Sequence, residues 1–120
     1  MINPDVIAAF NTRQTVNLNN IKTMTPAQQD QVKQTGSTAE NLLTNKDLAL
    51  FIHQYKFELC DTLAEIKGHS EEENSKRICI SNQIAGIDGF IATLQRAAYF
   101  KNRVVSYQNG SGNPEPGSEQ

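Results

Sequence analysis

The sequence predicts an all-α fold built on an antiparallel helical hairpin, with helices at about 45–67 and 70–108. In both segments apolar residues recur at steps of three and four, which is the spacing of a helix-packing seam. The link Gly68-His69 is so short that the two helices must lie side by side and antiparallel. We expect three parts in the chain: an N-terminal arm with short helices and an extended stretch (1–44), the hairpin domain (45–108) and a flexible tail (109–120).

The N-terminal arm begins with the signals of a brief helix. Asn3 is a favoured N-cap residue, and Pro4 is favoured at the first helical position. The apolar side chains of this helix are Val6, Ile7 and Phe10, and we expect them to dock on the free end of the second hairpin helix. Residues 15–24 follow as an extended strap, in which polar residues separate four apolar ones: Val16, Leu18, Ile21 and Met24.

A second arm helix is expected to begin at Thr25-Pro26, because Gln28 completes a capping box with Thr25. We interpret Gly36 as the stop of this helix. Val32 is nearly its only apolar residue, so the helix is polar on all sides and is expected to be held weakly, if at all.

The first hairpin helix has two competing start signals, Ser37 with Glu40 and Thr44 with Asp47, and we expect a break or kink between them. Gly68 is expected to stop the helix. The residues on its seam are Leu48, Ile52, Tyr55, Leu59, Thr62 and Ile66.

The second hairpin helix opens with a capping box of Ser70 and Glu73, and we expect it to end at Asn109-Gly110. Lys101 interrupts its seam. One antiparallel register pairs apolar residues in successive layers: Leu59 with Ile80, Tyr55 with Ile84, Ile52 with Ile87 and Leu48 with Ile91. This register places Cys60 and Cys79 on opposite flanks of the seam, so two free thiols are predicted.

Both hairpin helices carry more apolar surface than the hairpin covers. One excess is a stripe at seven-residue spacing on the outward side of the first helix, which we call the outer stripe: Leu43, Leu50, Phe57 and Ala64. The other is the end of the second helix beyond Leu94, which overhangs because that helix is longer. Either the arm folds over these surfaces or another subunit covers them. The candidate interface residues are Leu43, Leu50, Phe57, Gly86, Gly89, Phe90, Tyr99, Phe100, Val104, Val105 and Tyr107.

The composition bears on the class of function. A net charge of −2 argues against a nucleic-acid binder that works by broad counterion release. The 22 Asn and Gln residues suit packed interfaces and extended arms. The chain lacks an apolar run of about 18 residues and the basic segment of a signal peptide. We therefore expect a cytoplasmic chain, or one incorporated into a particle assembled there, without a membrane partner and not secreted.

No catalytic, metal or cofactor motif stands out in the sequence. His53 and Cys60 lie about 10 Å apart along a helix axis, too far to share one metal ion. Inside a helix, Gly86 and Gly89 cost about 1 kcal/mol each relative to alanine. The surface around them is made of small residues, which suits close approach by a helix, an arm or a small ligand. We expect no enzyme, no metal and no cofactor, and no motif supports a particular small ligand.

The leading functional hypothesis is a non-enzymatic, self-associating structural protein with a coiled-coil-like seam, either a homo-oligomer or part of a larger assembly such as a virion. One alternative is a small inhibitory or ligand-sequestering protein that acts through an oligomeric helical interface. Another is a nucleic-acid-binding regulator that uses a basic, aromatic helix end: Arg96, Lys101 and Arg103 with Tyr99, Phe100 and Tyr107.

Overall fold

A computed structural model of the chain describes residues 2–13 and 15–110. Within these residues there is no strand, and the all-α hairpin predicted from the sequence is confirmed. Of the tail predicted over 109–120, residues 111–120 lie outside the described part of the chain. The elements are α1 (Pro4–Asn11), a 3₁₀ helix (Ile21–Thr23), α2 (Pro26–Leu43), α3 (Lys46–Glu65) and α4 (Glu71–Gly110).

Helix α4 is the longest helix of the described chain, and both α2 and α3 pack against it. Its 40 residues span about 60 Å at 1.5 Å per residue, which accounts for the longest dimension of 63 Å. Helix α3 lies antiparallel along the first half of α4, and α2 lies antiparallel along the second half. The two shorter helices therefore follow one another along a single long partner, and the packing of α2 on α4 is the more extensive.

Helix α2 differs most from the expectation. Its predicted capping box is present: Thr25 Oγ1 accepts a hydrogen bond from the Gln28 N–H (3.1 Å), and Gln28 Oε1 accepts one from the Thr25 N–H (2.9 Å). The interpretation of Gly36 as a stop is wrong, because the helix continues through it to Leu43. Val32, Gly36 and Ala39, at steps of four and three, are all buried. The helix thus has a packing face made largely of small residues, and it is not held weakly.

Gly36 is needed where α2 meets α4. A Cβ atom built on this residue would lie 2.8 Å from the carbonyl oxygen of Ala97 and would overlap the Cβ of Lys101. Such distances are shorter than real Cβ contacts, so the two backbones can approach this closely only because residue 36 has no side chain. Gly36 is therefore a packing residue in the middle of a helix.

The main core lies between α2, the end of α4 and the strap over residues 15–24. Val104 is the most buried residue of the cluster, with 0% of its surface exposed. The strap contributes two buried residues, Ile21 and Met24. Its prediction as an extended segment is correct only in part, because the chain turns at residues 18–19 and forms a 3₁₀ helix at Ile21–Thr23. The residues that complete the cluster are Val32 with the partly buried Val16, Leu18, Phe100 and Tyr107.

Helix α1 forms as predicted, and Asn3 Oδ1 accepts a hydrogen bond from the Asp5 N–H at 2.8 Å. The prediction that its apolar face docks on the end of α4 is wrong. Val6, Ile7 and Phe10 all remain exposed, and of the three only Phe10 reaches a pocket that α4 also lines.

The boundaries of the hairpin helices follow local capping. The break expected between Ser37 and Asp47 is present, and Asn45 caps α3 by accepting a hydrogen bond from the Leu48 N–H at 2.8 Å. Helix α3 ends at Glu65, before the Gly68 stop that the sequence suggested. Its Ile66 carbonyl and the Gly68 carbonyl accept hydrogen bonds from the Arg77 guanidinium, which joins the turn to α4.

The far end of α4 is described as far as Gly110, the second residue of the Asn109-Gly110 stop that the sequence predicts. Two side chains of α2 contact this end. Gln108 Nε2 donates to Gln29 Oε1 at 2.8 Å, and Lys33 Nζ donates to Gln108 Oε1 at 3.0 Å. These hydrogen bonds join the last turns of α4 to α2.

The register between α3 and α4 agrees with the first predicted layer, because Leu59 and Ile80 are both buried. The predicted layer of Tyr55 and Ile84 is not buried in the same way, since Tyr55 is 46% exposed. Its Oη atom donates to Gln83 Oε1 at 3.1 Å, next to the residue predicted to face it. On the other flank, Lys56 Nζ lies 2.8 Å from Asp88 Oδ1. Cys60 and Cys79 are free and exposed.

Candidate functional surfaces

The outer stripe of α3 is bare in the described chain. Leu50 and Phe57 are 58% and 63% exposed, and Leu43, at the end of α2, is exposed as well. The opposite side of α3 carries the buried Leu59 and packs on α4. Among the described residues, α3 has only α4 as a substantial neighbour, so no third layer of the described chain covers the stripe.

Further apolar side chains are exposed on the two long helices. On α4, Ile78 and the interface candidate Phe90 are exposed, and the candidate Tyr99 is exposed further along, beside the strap. On α3, Phe51 is 65% exposed, and it is not among the predicted interface residues. The sequence does contain a signal for this exposed residue. Phe51 lies outside both the seam and the outer stripe, at a position where a helix facing solvent would carry a polar residue.

Gly86 and Gly89 lie on exposed parts of α4, and a Cβ atom added to either residue would meet nothing within 4 Å. No neighbour in the described chain therefore requires glycine at these two positions. Gly36 differs from them, because contact with Ala97 and Lys101 leaves no room for a side chain at that position. The free backbone surface at Gly86 and Gly89 remains a candidate contact for another chain.

The other interface candidates lie at the overhanging end of α4, and here the arm supplies the cover. Val104 is fully buried, so its selection as a residue that meets a partner is wrong. Phe100 and Tyr107 are partly buried against the same cluster, and Val105 is half-buried. The strap and α2 bury these residues because Gly36 and Ala39 let the two helices approach closely.

Lys101, which interrupts the predicted seam, has a specific role in this packing. Its stem lies over Gly36, and its Nζ atom is 2.5 Å from Glu40 Oε1. The Lys101 side chain is 24% exposed, so the ion pair lies at the edge of the helix interface. This lysine is therefore engaged within the chain and is not available as a phosphate contact.

A polar cleft of about 600 Å³ lies between the strap and the last turns of α4. Its charged lining residues are Lys22 and Arg103, and none of its described lining residues is acidic. Tyr99 and Tyr107 add aromatic faces, and the Arg103 guanidinium lies 5.9 Å from the centre of the Tyr99 ring. Asn19, Asn20, Asn102 and Ser106 also line the cleft and supply hydrogen-bonding groups.

The described residues contain little that resembles a chemical site. They hold no group of three or more His, Cys, Asp or Glu side chains placed to bind a metal ion. At the start of α4, hydrogen bonds to the side chain and backbone of Ser70 hold the pKa of Glu73 below its usual value, with help from the Gly68 N–H and the Arg77 charge. These contacts belong to the capping box of α4 and to the turn before it, so the lowered pKa is explained by structural contacts.

No family model matches the chain, and no curated protein or solved structure matches it either. Within residues 2–13 and 15–110, no helix combines the length and the apolar character needed to cross a membrane.

Proposed function

We propose that this chain is a non-enzymatic assembly protein that associates with copies of itself through the outer stripe of α3, in the cytoplasm or in a particle assembled there. The observation that carries the proposal is the exposure of Leu50 and Phe57 at 58% and 63% on a helix whose opposite side is buried. Exposed apolar residues that recur on one helix face are typical of a surface covered by another helix.

The surroundings of the outer stripe favour an interface as well. Polar and ionisable side chains such as His53, Gln54 and Asp61 flank it, which gives an apolar centre with a polar rim. Seven-residue spacing lets a second copy of α3 pack alongside at an interaxial distance of about 8–10 Å.

The expected affinity is weak. Covering Leu43, Leu50 and Phe57 on two copies contributes about 9 kcal/mol at roughly 1.5 kcal/mol for each side chain. Association costs an estimated 4–15 kcal/mol in lost freedom, so a net gain of at most about 5 kcal/mol is left. We therefore expect association that depends on concentration, with a Kd of about 0.2 mM or weaker for the outer stripe alone.

The test replaces two stripe residues in the full chain, Leu50→Gln with Phe57→Gln, and follows the average mass in solution by light scattering over a range of concentrations. The matched control is Val6→Gln with Ile7→Gln, which removes two exposed apolar residues from α1 instead. Circular dichroism establishes that both double variants keep the helical content of the unmodified chain.

The stripe variant is expected to shift association to at least tenfold higher concentration, and the α1 variant is expected to behave as the unmodified chain does. Equal loss of association in both variants would indicate non-specific apolar contact. Unchanged association in the stripe variant would place the interface elsewhere, for example at Gly86 and Gly89 or around Phe90.

The polar cleft favours a second candidate function, binding of single-stranded nucleic acid. Lys22 and Arg103 supply two cations without a neighbouring described carboxylate, while Tyr99 and Tyr107 supply faces on which bases stack. This form of the hypothesis replaces Lys101, which is paired with Glu40, by Lys22 from the strap.

Fluorescence anisotropy with a labelled single-stranded oligonucleotide tests this candidate. With two phosphate contacts, the logarithm of the binding constant should fall with that of the salt concentration with a slope of about −1.4. Arg103→Gln should reduce the slope by about half, and Tyr99→Ala should weaken binding by about 1–3 kcal/mol without changing the slope. Binding that does not respond to salt would contradict the candidate.

A further inference from the structure

A second concavity, separate from the polar cleft, lies where the arm meets the other side of α4. It has a volume of about 490 Å³ and is enclosed by the end of α1, the strap, α2 and α4. Its apolar lining includes Val16, Leu18, Val32 and Phe100, four residues of the main core cluster. We call it the arm pocket. Its size falls within the range of small-molecule sites, about 300–1,000 Å³.

The ionisable residues of the arm pocket are two arginines. Arg13 comes from the end of α1 and Arg96 from α4, and none of the described lining residues is Asp or Glu. The Arg13 guanidinium is held in place, since it donates to the Phe10 carbonyl oxygen at 3.0 Å and lies 3.6 Å from the centre of the Phe10 ring. Arg96 has no carboxylate within ion-pair distance among the described residues.

This combination selects one chemical class of ligand. Two guanidinium groups favour an anion, and a planar carboxylate matches the guanidinium geometry. Apolar walls favour a hydrocarbon chain in the body of the pocket, which a nucleotide or an inorganic phosphate would leave unfilled. We propose that the arm pocket binds a small amphipathic anion, a monocarboxylate with an apolar chain, with Arg13 and Arg96 at its charged end.

Octanoate is a suitable probe, and its binding to the full chain can be measured by calorimetry and by amide chemical-shift changes in NMR spectra. Two relatives of the probe separate its two parts: butyrate keeps the carboxylate and shortens the chain, and octan-1-ol keeps the chain and removes the charge. We expect both to bind at least about tenfold more weakly than octanoate, with shift changes centred on the pocket. Octan-1-ol binding as tightly as octanoate, or no octanoate binding at millimolar concentration, would overturn the proposal.

A matched pair of variants tests the assignment of the charged end. Arg96→Gln should weaken octanoate binding about two- to fivefold, as expected for the loss of one ion pair. Arg103→Gln removes the same charge from the same helix seven residues further on, but Arg103 lines the polar cleft instead. Octanoate affinity should therefore be unchanged in Arg103→Gln, and an equal loss in both variants would show a general effect of charge and contradict the site.

A third variant blocks the apolar part of the pocket from its rim. Thr35 is exposed on α2 and lines the pocket, so Thr35→Phe should occupy its mouth while the core cluster stays intact. We expect octanoate binding to fall at least about tenfold, with unchanged helical content. Unaltered binding would overturn the proposed location.

Discussion

Replacing Gly36 with alanine is expected to destabilise the chain, although the same change stabilises most helices. The added Cβ would lie 2.8 Å from the Ala97 carbonyl oxygen and would overlap the Cβ of Lys101. Relieving such overpacking costs about 1–3 kcal/mol, because α2 and α4 must move apart. The helix propensity of alanine returns about 1 kcal/mol. We therefore expect the free energy of unfolding to fall by up to about 2 kcal/mol.

Gly86→Ala is the matched control for this prediction. Gly86 lies inside α4, and nothing is within 4 Å of the position that its Cβ would occupy. The substitution should therefore raise the free energy of unfolding by about 0.5–1 kcal/mol through helix propensity alone. Two identical substitutions in helix interiors are thus expected to have opposite signs.

Urea denaturation followed by circular dichroism at low protein concentration measures both effects under conditions where the chain is not associated. The midpoint should fall for Gly36→Ala and rise for Gly86→Ala, with similar slopes. If Gly36→Ala raised the midpoint as much as Gly86→Ala does, the close contact between α2 and α4 would not exist. The assignment of α2 as the main partner of α4 would then fail.

Three further predictions follow from individual contacts. Because the pKa of Glu73 is lowered in the folded chain, the charged side chain should stabilise the fold fully above about pH 4.3 and less as the pH falls through the lowered pKa. Thermal unfolding of Glu73→Gln and of the unmodified chain should therefore differ at pH 7, and the difference should vanish in acid. A double-mutant cycle on Lys101 and Glu40 should give a coupling of about 0.5–1 kcal/mol that weakens in salt, and no coupling would contradict the ion pair. Val104→Ala should lower the free energy of unfolding by about 2 kcal/mol in urea titrations, and Val105→Ala by less than 1, because Val104 is fully buried and Val105 only half-buried.

The hairpin could be predicted from the sequence because its information is local and repeated. The isoleucines of α4 recur at helix spacing over several turns, and the capping box of Ser70 and Glu73 marks the start of that helix. The short link between the two helices allows only antiparallel packing of α3 on α4. The burial of Leu59 and Ile80 agrees with the predicted register, which pairs these two residues. The exposed outer stripe follows from the same periodicity.

The role of α2 could not be predicted in the same way. Its packing face is made of Val32, Gly36 and Ala39, which have too little apolar surface to produce a periodic signal. Gly36 has the same local sequence signature whether it stops a helix or lets another backbone approach, and only the presence of Lys101 and Ala97 opposite it decides between the two.

For the overhang of α4, the sequence leaves two alternatives open, cover by the arm or by another subunit. The weak apolar pattern of α2 gives no means of choosing between them. In the structure, α2 and the strap cover this end, while no described element covers the apolar residues on the outer face of α3. The candidate self-association surface is thereby narrowed from two regions to the outer stripe and its immediate surroundings.

Sedimentation equilibrium of the unmodified chain, from low micromolar to millimolar concentration, tests self-association most directly. The average mass should begin near 13.3 kDa and rise with concentration towards a multiple of that value, with the rise abolished by Leu50→Gln with Phe57→Gln. A constant mass of 13.3 kDa over the whole range would contradict self-association through the outer stripe of α3.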